Sequence, residues 1–163
     1  MTSVVGSTNE RLVKSDERVR DLGEVFTPNA TVQEMLGLLP AKMWAVHPSP
    51  TFLEPACGHG NFLVAILLRK LERIATEHAI GGLPAGAAPD AAQFHALEAL
   101  ASIYAVDISI DNVVGGTPGH EIGARDRLLT IFSEWNASIL AKRLTLSPPR
   151  WPSRRRSSRC SVP

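Results

Sequence analysis

The sequence predicts an α/β fold: an incomplete parallel-sheet domain with a helical lead-in. Three observations predict it. A short apolar strand, Phe52-Leu53-Glu54, ends in an acid and passes through Pro55 and Ala56 into a tight turn carrying Gly58 and Gly60. A stretch with apolar residues at Phe62, Leu63, Ile66 and Leu67 leaves that turn with helical spacing. A second β-branched and aromatic run, Ala101 to Ile108, carries an acid, Asp107, at its end. Strand, glycine turn, helix and second strand form the layout in which a nucleotide-type ligand lies at the carboxyl end of the first parallel strand. Glycine belongs where the backbone adopts unusual dihedrals or approaches a ligand closely.

In chain order, residues 1 to about 20 are polar, with a short helix expected over Asn9–Arg20. Pro28 suits the first turn of a helix and Thr27 its cap. Val32, Met35, Leu36, Leu38 and Leu39 then extend an apolar stripe over a helix from Thr31 to about Trp44. His47-Pro-Ser-Pro50 reads as a turn. The long helix from Asn61 to about His78 divides aliphatic from charged faces. Gly81 to Pro89 reads as a Gly/Pro-rich loop, Ala91–Ala101 as a helix, and Glu121–Leu140 as the last helix. Between Asn112 and Thr145 the sequence reads as loop and helix, leaving no room for a third or fourth strand.

With 163 residues, 44% hydrophobic and 20% charged, the chain suits one globular domain. It has no apolar run long enough for a membrane span, and Met1-Thr-Ser-Val-Val-Gly-Ser7 does not resemble a secretory signal. Its two cysteines, Cys57 and Cys160, do not suggest a structural disulfide and suit a reducing cytoplasm. Cys57-Gly-His59 alone makes a poor zinc site, so no metal is expected. Seven basic residues and no acids follow from Lys142 onward, leaving 10 basic against 16 acidic residues in positions 1–141. The body therefore does not look like a nucleic-acid face. The basic tail fits either phosphate contact or a solvated end.

Taken together, Glu54-Pro55-Ala56-Cys57-Gly58, then Gly60-Asn61-Phe62, resembles the S-adenosylmethionine loop of adenine-specific DNA methyltransferases of the restriction-modification type. Gly23-Glu-Val-Phe26-Thr27-Pro28 resembles the box that precedes this loop in that family and closes over the methionine end of the cofactor. Tyr104-Ala-Val-Asp107-Ile108 resembles its second-strand motif. Arg125-Asp-Arg-Leu-Leu129 is similar to a further family segment. The resemblance covers about Arg11 to Leu140. It implies a partial Rossmann-like methyltransferase domain over 1–143 that binds S-adenosylmethionine. Asp107 would accept from both ribose hydroxyls and Ile108 would pack on the adenine. Read from the residues alone, the alternative for Asp107 is a strand-end turn residue. The pattern Gly58-x-Gly60-x-x-Leu63 lacks the third glycine of the dinucleotide fingerprint, which disfavours NAD.

The family's catalytic motif, Asp/Asn-Pro-Pro-Tyr/Phe, is not matched. Ser147-Pro-Pro-Arg150 has arginine in place of the aromatic and no apolar strand before it, so no catalytic residue is assigned. From Leu144 the composition turns abruptly to Pro, Ser and Arg, as a frameshifted or truncated reading frame would give; 144–163 is expected to be a disordered tail. The resulting expectation is the cofactor-binding piece of an enzyme that methylates adenine amino groups in DNA. Its partners would be DNA, through the intact enzyme, and other restriction-modification subunits. Two alternatives stand beside it: a non-catalytic remnant or regulator, and a methyltransferase for a non-DNA substrate.

Overall fold

The computed structural model describes residues 11–78 and 89–145. Six α-helices and two strands follow in the order α1 (Asp16–Leu22), α2 (Asn29–Gly37), β1 (Phe52–Glu54), α3 (Asn61–Glu77), α4 (Pro89–Ala101), β2 (Ile103–Ala105), α5 (Ile110–Val114) and α6 (Ala124–Thr145), with a 3₁₀ turn at Ala41–Trp44.

The two strands pair in parallel, with Phe52 opposite Ile103, Leu53 opposite Tyr104 and Glu54 opposite Ala105. The pairing extends past the strands. Phe52 N donates to Ser102 O at 2.9 Å, Val106 N to Glu54 O at 2.9 Å, and Cys57 N to Val106 O at 3.0 Å. Helices α3 and α4 lie along the chain between the strands, as a parallel connection requires. The fold is thus mixed: mainly helical, with a small parallel sheet.

Alternation along the strands decides which sheet face is covered. Phe52 and Ile103 point into the helical side, and Ile103 touches all three hydrophobic clusters. Leu67, Leu71 and Ile74 of α3 meet Ala92, Ala96 and Ala99 of α4, whose small side chains let the two helices approach closely. Leu128, Ile131, Phe132 and Trp135 of α6 close that layer. On the other face Leu53 and Tyr104, side by side in register, are 67% and 57% exposed. Parallel sheets usually carry helices on both faces.

Several boundaries differ from expectation. Helix α1 begins at Asp16, where the Ser15 side chain accepts from Arg18 N, so residues 11–15 are not helical. Helix α2 starts at Asn29 with Pro28, not Thr27, as its cap, and no side chain caps it. Pro28 is extended, with ψ at 145°, so it precedes the helix instead of entering its first turn, and α2 begins two residues before the expected Thr31. The helix expected over 31–44 ends at Gly37, because Pro40 cannot continue it; a 3₁₀ turn follows. Helix α5 was not anticipated. Helix α6 begins three residues late and runs to Thr145, two residues into the expected tail. The Gly/Pro loop expected at 81–89 lies outside the described residues except for Pro89, which opens α4. The rest of the tail, Ser147-Pro-Pro-Arg150 included, lies outside them too. Among the described residues no helix is long and apolar enough to cross a membrane.

Candidate functional site

A cleft of about 360 Å³ opens at the carboxyl ends of β1 and β2. Three chain segments build it. The first is the stretch after α1, where Gly23 ends the helix in a left-handed conformation and Phe26 N is anchored on Leu12 O at 2.7 Å. The second is the turn between β1 and α3. The third is the segment from Asp107 to Asn112 after β2. Of the residues singled out in the sequence, Phe26, Thr27, Glu54, Ala56, Cys57, Gly58, Asn61, Phe62, Asp107 and Ile108 line the cleft. Pro28 caps α2, Pro55 is exposed beside the turn, and Gly60 is buried at the start of α3. These three do not line it.

The turn owes its shape to two glycines with positive φ, Gly58 at 52° and Gly60 at 94°. A Cβ on Gly58 would come within 3.1 Å of the Phe26 ring, and one on Gly60 within 2.9 Å of Ala124 Cβ. The glycines thus let the turn nest against the Phe26 segment on one side and α6 on the other. Arg127 of α6 holds the turn in place: Nη1 donates to His59 O at 2.6 Å and to Asn61 Oδ1 at 3.1 Å. Asn61 Nδ2 in turn donates to Thr27 O at 2.9 Å, linking the turn to the Phe26-Thr27-Pro28 segment.

Asp107 is the hub of the cleft. Its Oδ2 accepts from Gly58 N at 2.7 Å, and its Oδ1 from Ser109 N at 2.8 Å and Asn112 Nδ2 at 3.0 Å. Each carboxylate oxygen has two acceptor sites, so Oδ1 is filled and Oδ2 keeps one. Asn112, 2% exposed, also donates to Glu24 Oε2 at 3.1 Å, so one buried amide bridges two acids. Ile108 projects from the same segment and is 95% exposed.

The cleft lining is acidic. Among the described residues it includes the carboxylates of Glu24, Glu54 and Asp107 and no lysine or arginine. Glu24 is paired with Arg18. Among the described residues no salt bridge reaches Glu54 or Asp107. Burial, followed by the nearby Asp107 and Glu54 charges, pushes the Cys57 thiol up to about 11. Cys57 is therefore a neutral thiol near pH 7 and not an activated nucleophile. Burial, then the Arg127 guanidinium, lowers His59 to about 4. The neutral His59 ring stacks on Phe26 with centroids 4.6 Å apart and accepts from Arg127 at Nε2, 3.1 Å away.

Sequence reasoning missed Glu24, His59, Ser109 and Asn112 as lining residues. Glu24 and His59 lie inside the motifs already singled out, so the motif boundaries could have included them. Asn112 carried no signal, because its role depends on α5 turning its amide back toward Asp107. Arg127 lies in the segment Arg125–Leu129, but only packing reveals that it clamps the turn. A family-model scan and comparisons with curated proteins and with solved structures return no match for this chain.

Proposed function

We propose that the cleft binds S-adenosylmethionine and that this chain is the cofactor-holding part of an adenine-specific DNA methyltransferase of the restriction-modification type. The observation that carries the reading is convergence. Phe26-Thr27, the Glu54–Phe62 turn and Asp107-Ile108 are far apart in sequence, and they line one cleft at the carboxyl ends of two parallel strands. That is where open α/β sheets bind ligands.

The residues fit the cofactor. The volume lies within the ordinary range for small-molecule sites. The acidic lining suits a ligand with sulfonium and ammonium charges and repels a pyrophosphate, which argues against NAD and ATP. The remaining acceptor site on Asp107 can take one ribose hydroxyl, while exposed Ile108 offers an apolar contact to a purine. The N-terminal end of the 17-residue α3, behind the turn, favours the ligand's carboxylate. When bound, the cofactor supplies an electrophilic methyl group for the exocyclic amine of adenine. The bare sheet face at Leu53 and Tyr104 is where a doubly wound domain carries further helices. The 163 residues contain no Asp/Asn-Pro-Pro-Tyr/Phe motif to hold the amine, so this chain supplies the donor's site only.

A second reading draws on the hydrogen bonds of Asp107. An acid satisfied by three protein donors can be a structural clasp with no ligand to hold. Calorimetry on the full chain separates the two. S-adenosylmethionine should bind and NAD should not, and Asp107→Ala should weaken binding by about 1.5–3 kcal/mol, the range for a hydrogen bond to a charged group. No heat with S-adenosylmethionine on folded protein would leave only the clasp.

A further inference from the structure

A second group of polar side chains gathers at the opposite end of the sheet. His47 lies in the turn that feeds β1, His95 and Glu98 are one turn apart on α4, and His78 ends α3. His47 Nδ1 is 2.9 Å from Glu98 Oε2, and Glu98 Oε1 accepts from Ser49 N at 3.3 Å. The His47 and His95 rings stack with centroids 5.3 Å apart. His78 Nε2 meets His95 Nδ1 at 2.8 Å, which fixes the His95 ring. One donor atom from each of His47, His95 and Glu98 lies within 4.8 Å of the other two.

Two imidazoles and one carboxylate are a donor set suited to zinc, whereas magnesium and calcium prefer all-oxygen sites.

We propose that His47, His95 and Glu98 bind one Zn²⁺ ion, with His78 as the positioning residue for His95. The proton that now links His47 to Glu98 is what the cation replaces. In a tetrahedral site with ligands at about 2.0–2.2 Å the donors are ~3.3 Å apart, so the cluster closes on the ion by small side-chain rotations. The ion would join the turn entering β1 to the helix entering β2, at the amino ends of the strands and away from the cleft. The ion would link the two ends of the crossover, with a water completing its four-coordinate shell. The proposal is independent of what the cleft binds.

The test uses the full chain, stripped of metal with a chelator. Zn²⁺ titration by calorimetry should show one equivalent bound. Tm should rise with added Zn²⁺, as ligand linkage requires. Co²⁺ should give the intense visible bands of a four-coordinate ion. The His47 side chain is 57% exposed, so His47→Ala leaves the core intact. This variant and Glu98→Gln should lose about 100-fold or more in affinity together with the Tm rise. His78→Asn should lose ~10-fold, the low end for outer-shell partners, and keep the Co²⁺ bands. Absence of Zn²⁺ uptake by the unmodified chain overturns the proposal. So does equal uptake by His47→Ala, which would put the ion elsewhere, or equal competition by Mg²⁺.

Discussion

At the residue scale, the cleft depends on side chains whose charge state is set by burial. His59 is lowered to about 4, below the ordinary imidazole value. The unfolded chain binds a proton at this residue near pH 6.5 and the folded chain does not until about pH 4. Unfolding therefore takes up protons in this window, and stability falls as pH drops through it. Urea denaturation between pH 7 and pH 4 should show this loss, and His59→Asn should reduce it by on the order of 1–3 kcal/mol. An unchanged pH profile in the variant would mean that His59 is protonated as freely in the fold as outside it. The glycines act at this scale too. A substitution at Gly58 strikes the Phe26 ring, the wall of the cleft, so its effect on ligand binding would come through displacement of that wall.

At the element scale, the segments on either side of α5 and α6 pack backbone to backbone. A Cβ on Gly123 would sit 2.3 Å from Val113 O, and one on Gly115 2.3 Å from Glu121 O. Gly123→Ala must push α6 away from α5, and with it Arg127 from the turn. Overpacking of this kind costs about 1–3 kcal/mol. Thermal denaturation should show the loss, and a variant as stable as the parent would mean that the two segments can separate freely. The sheet offers an opposite contrast. Leu67 is fully buried between the helices, while Tyr104 faces outward at 57% exposure. Leu67→Ala should cost about 2–5 kcal/mol. Tyr104→Ser should stay within about 0.5 kcal/mol. Comparable losses in chemical denaturation would mean that the outer sheet face is covered in solution. The sheet pattern was legible only in part: Phe52-Leu53-Glu54 reads as a strand, but nothing in three residues says which face meets the helices. The long helix α3 was legible almost to the residue, because its 17 residues repeat the apolar period several times. The short α1 and α5 have too few turns to show a period, and their ends are set by caps and by contacts with Lys14, Arg18 and Glu24.

At the scale of the whole molecule, one buried cation fastens the entrance to the sheet. Lys70 of α3 is 3% exposed, and its Nζ donates to Ser49 Oγ at 2.7 Å, Pro50 O at 2.6 Å and Ser102 Oγ at 2.8 Å. It thereby joins the turn before β1 to the residue before β2. Burial lowers it from the ordinary lysine value to about 8, with only partial opposition from Glu98. Between about pH 8 and pH 10.5 the folded chain has released this proton and the unfolded chain has not, so this residue's contribution to stability improves as pH rises through that window. Cys57, raised to about 11, acts in the opposite sense from about pH 9 upward, because the unfolded thiol ionises first. The difference in unfolding free energy between the parent and Lys70→Met should therefore shift in the parent's favour by about 2 kcal/mol between pH 8 and pH 10. A difference that is flat with pH would mean that Lys70 keeps its charge in the fold, stabilised by its three acceptors.

The sequence by itself determined the order of the main elements, the parallel strand–turn–helix–strand layout, and the three segments that line the cleft. Those features are local: apolar period, glycine turns and acids at strand ends are written in adjacent residues. Tertiary structure alone decided that Asp107 is shared among Gly58, Ser109 and Asn112, that Arg127 clamps the turn, that Lys70 ties the strand entrances, and that His47, His78, His95 and Glu98 meet. Strand pairing, the turn of α5 and the packing of α3, α4 and α6 bring these residues together, and such contacts leave no period or motif along the chain.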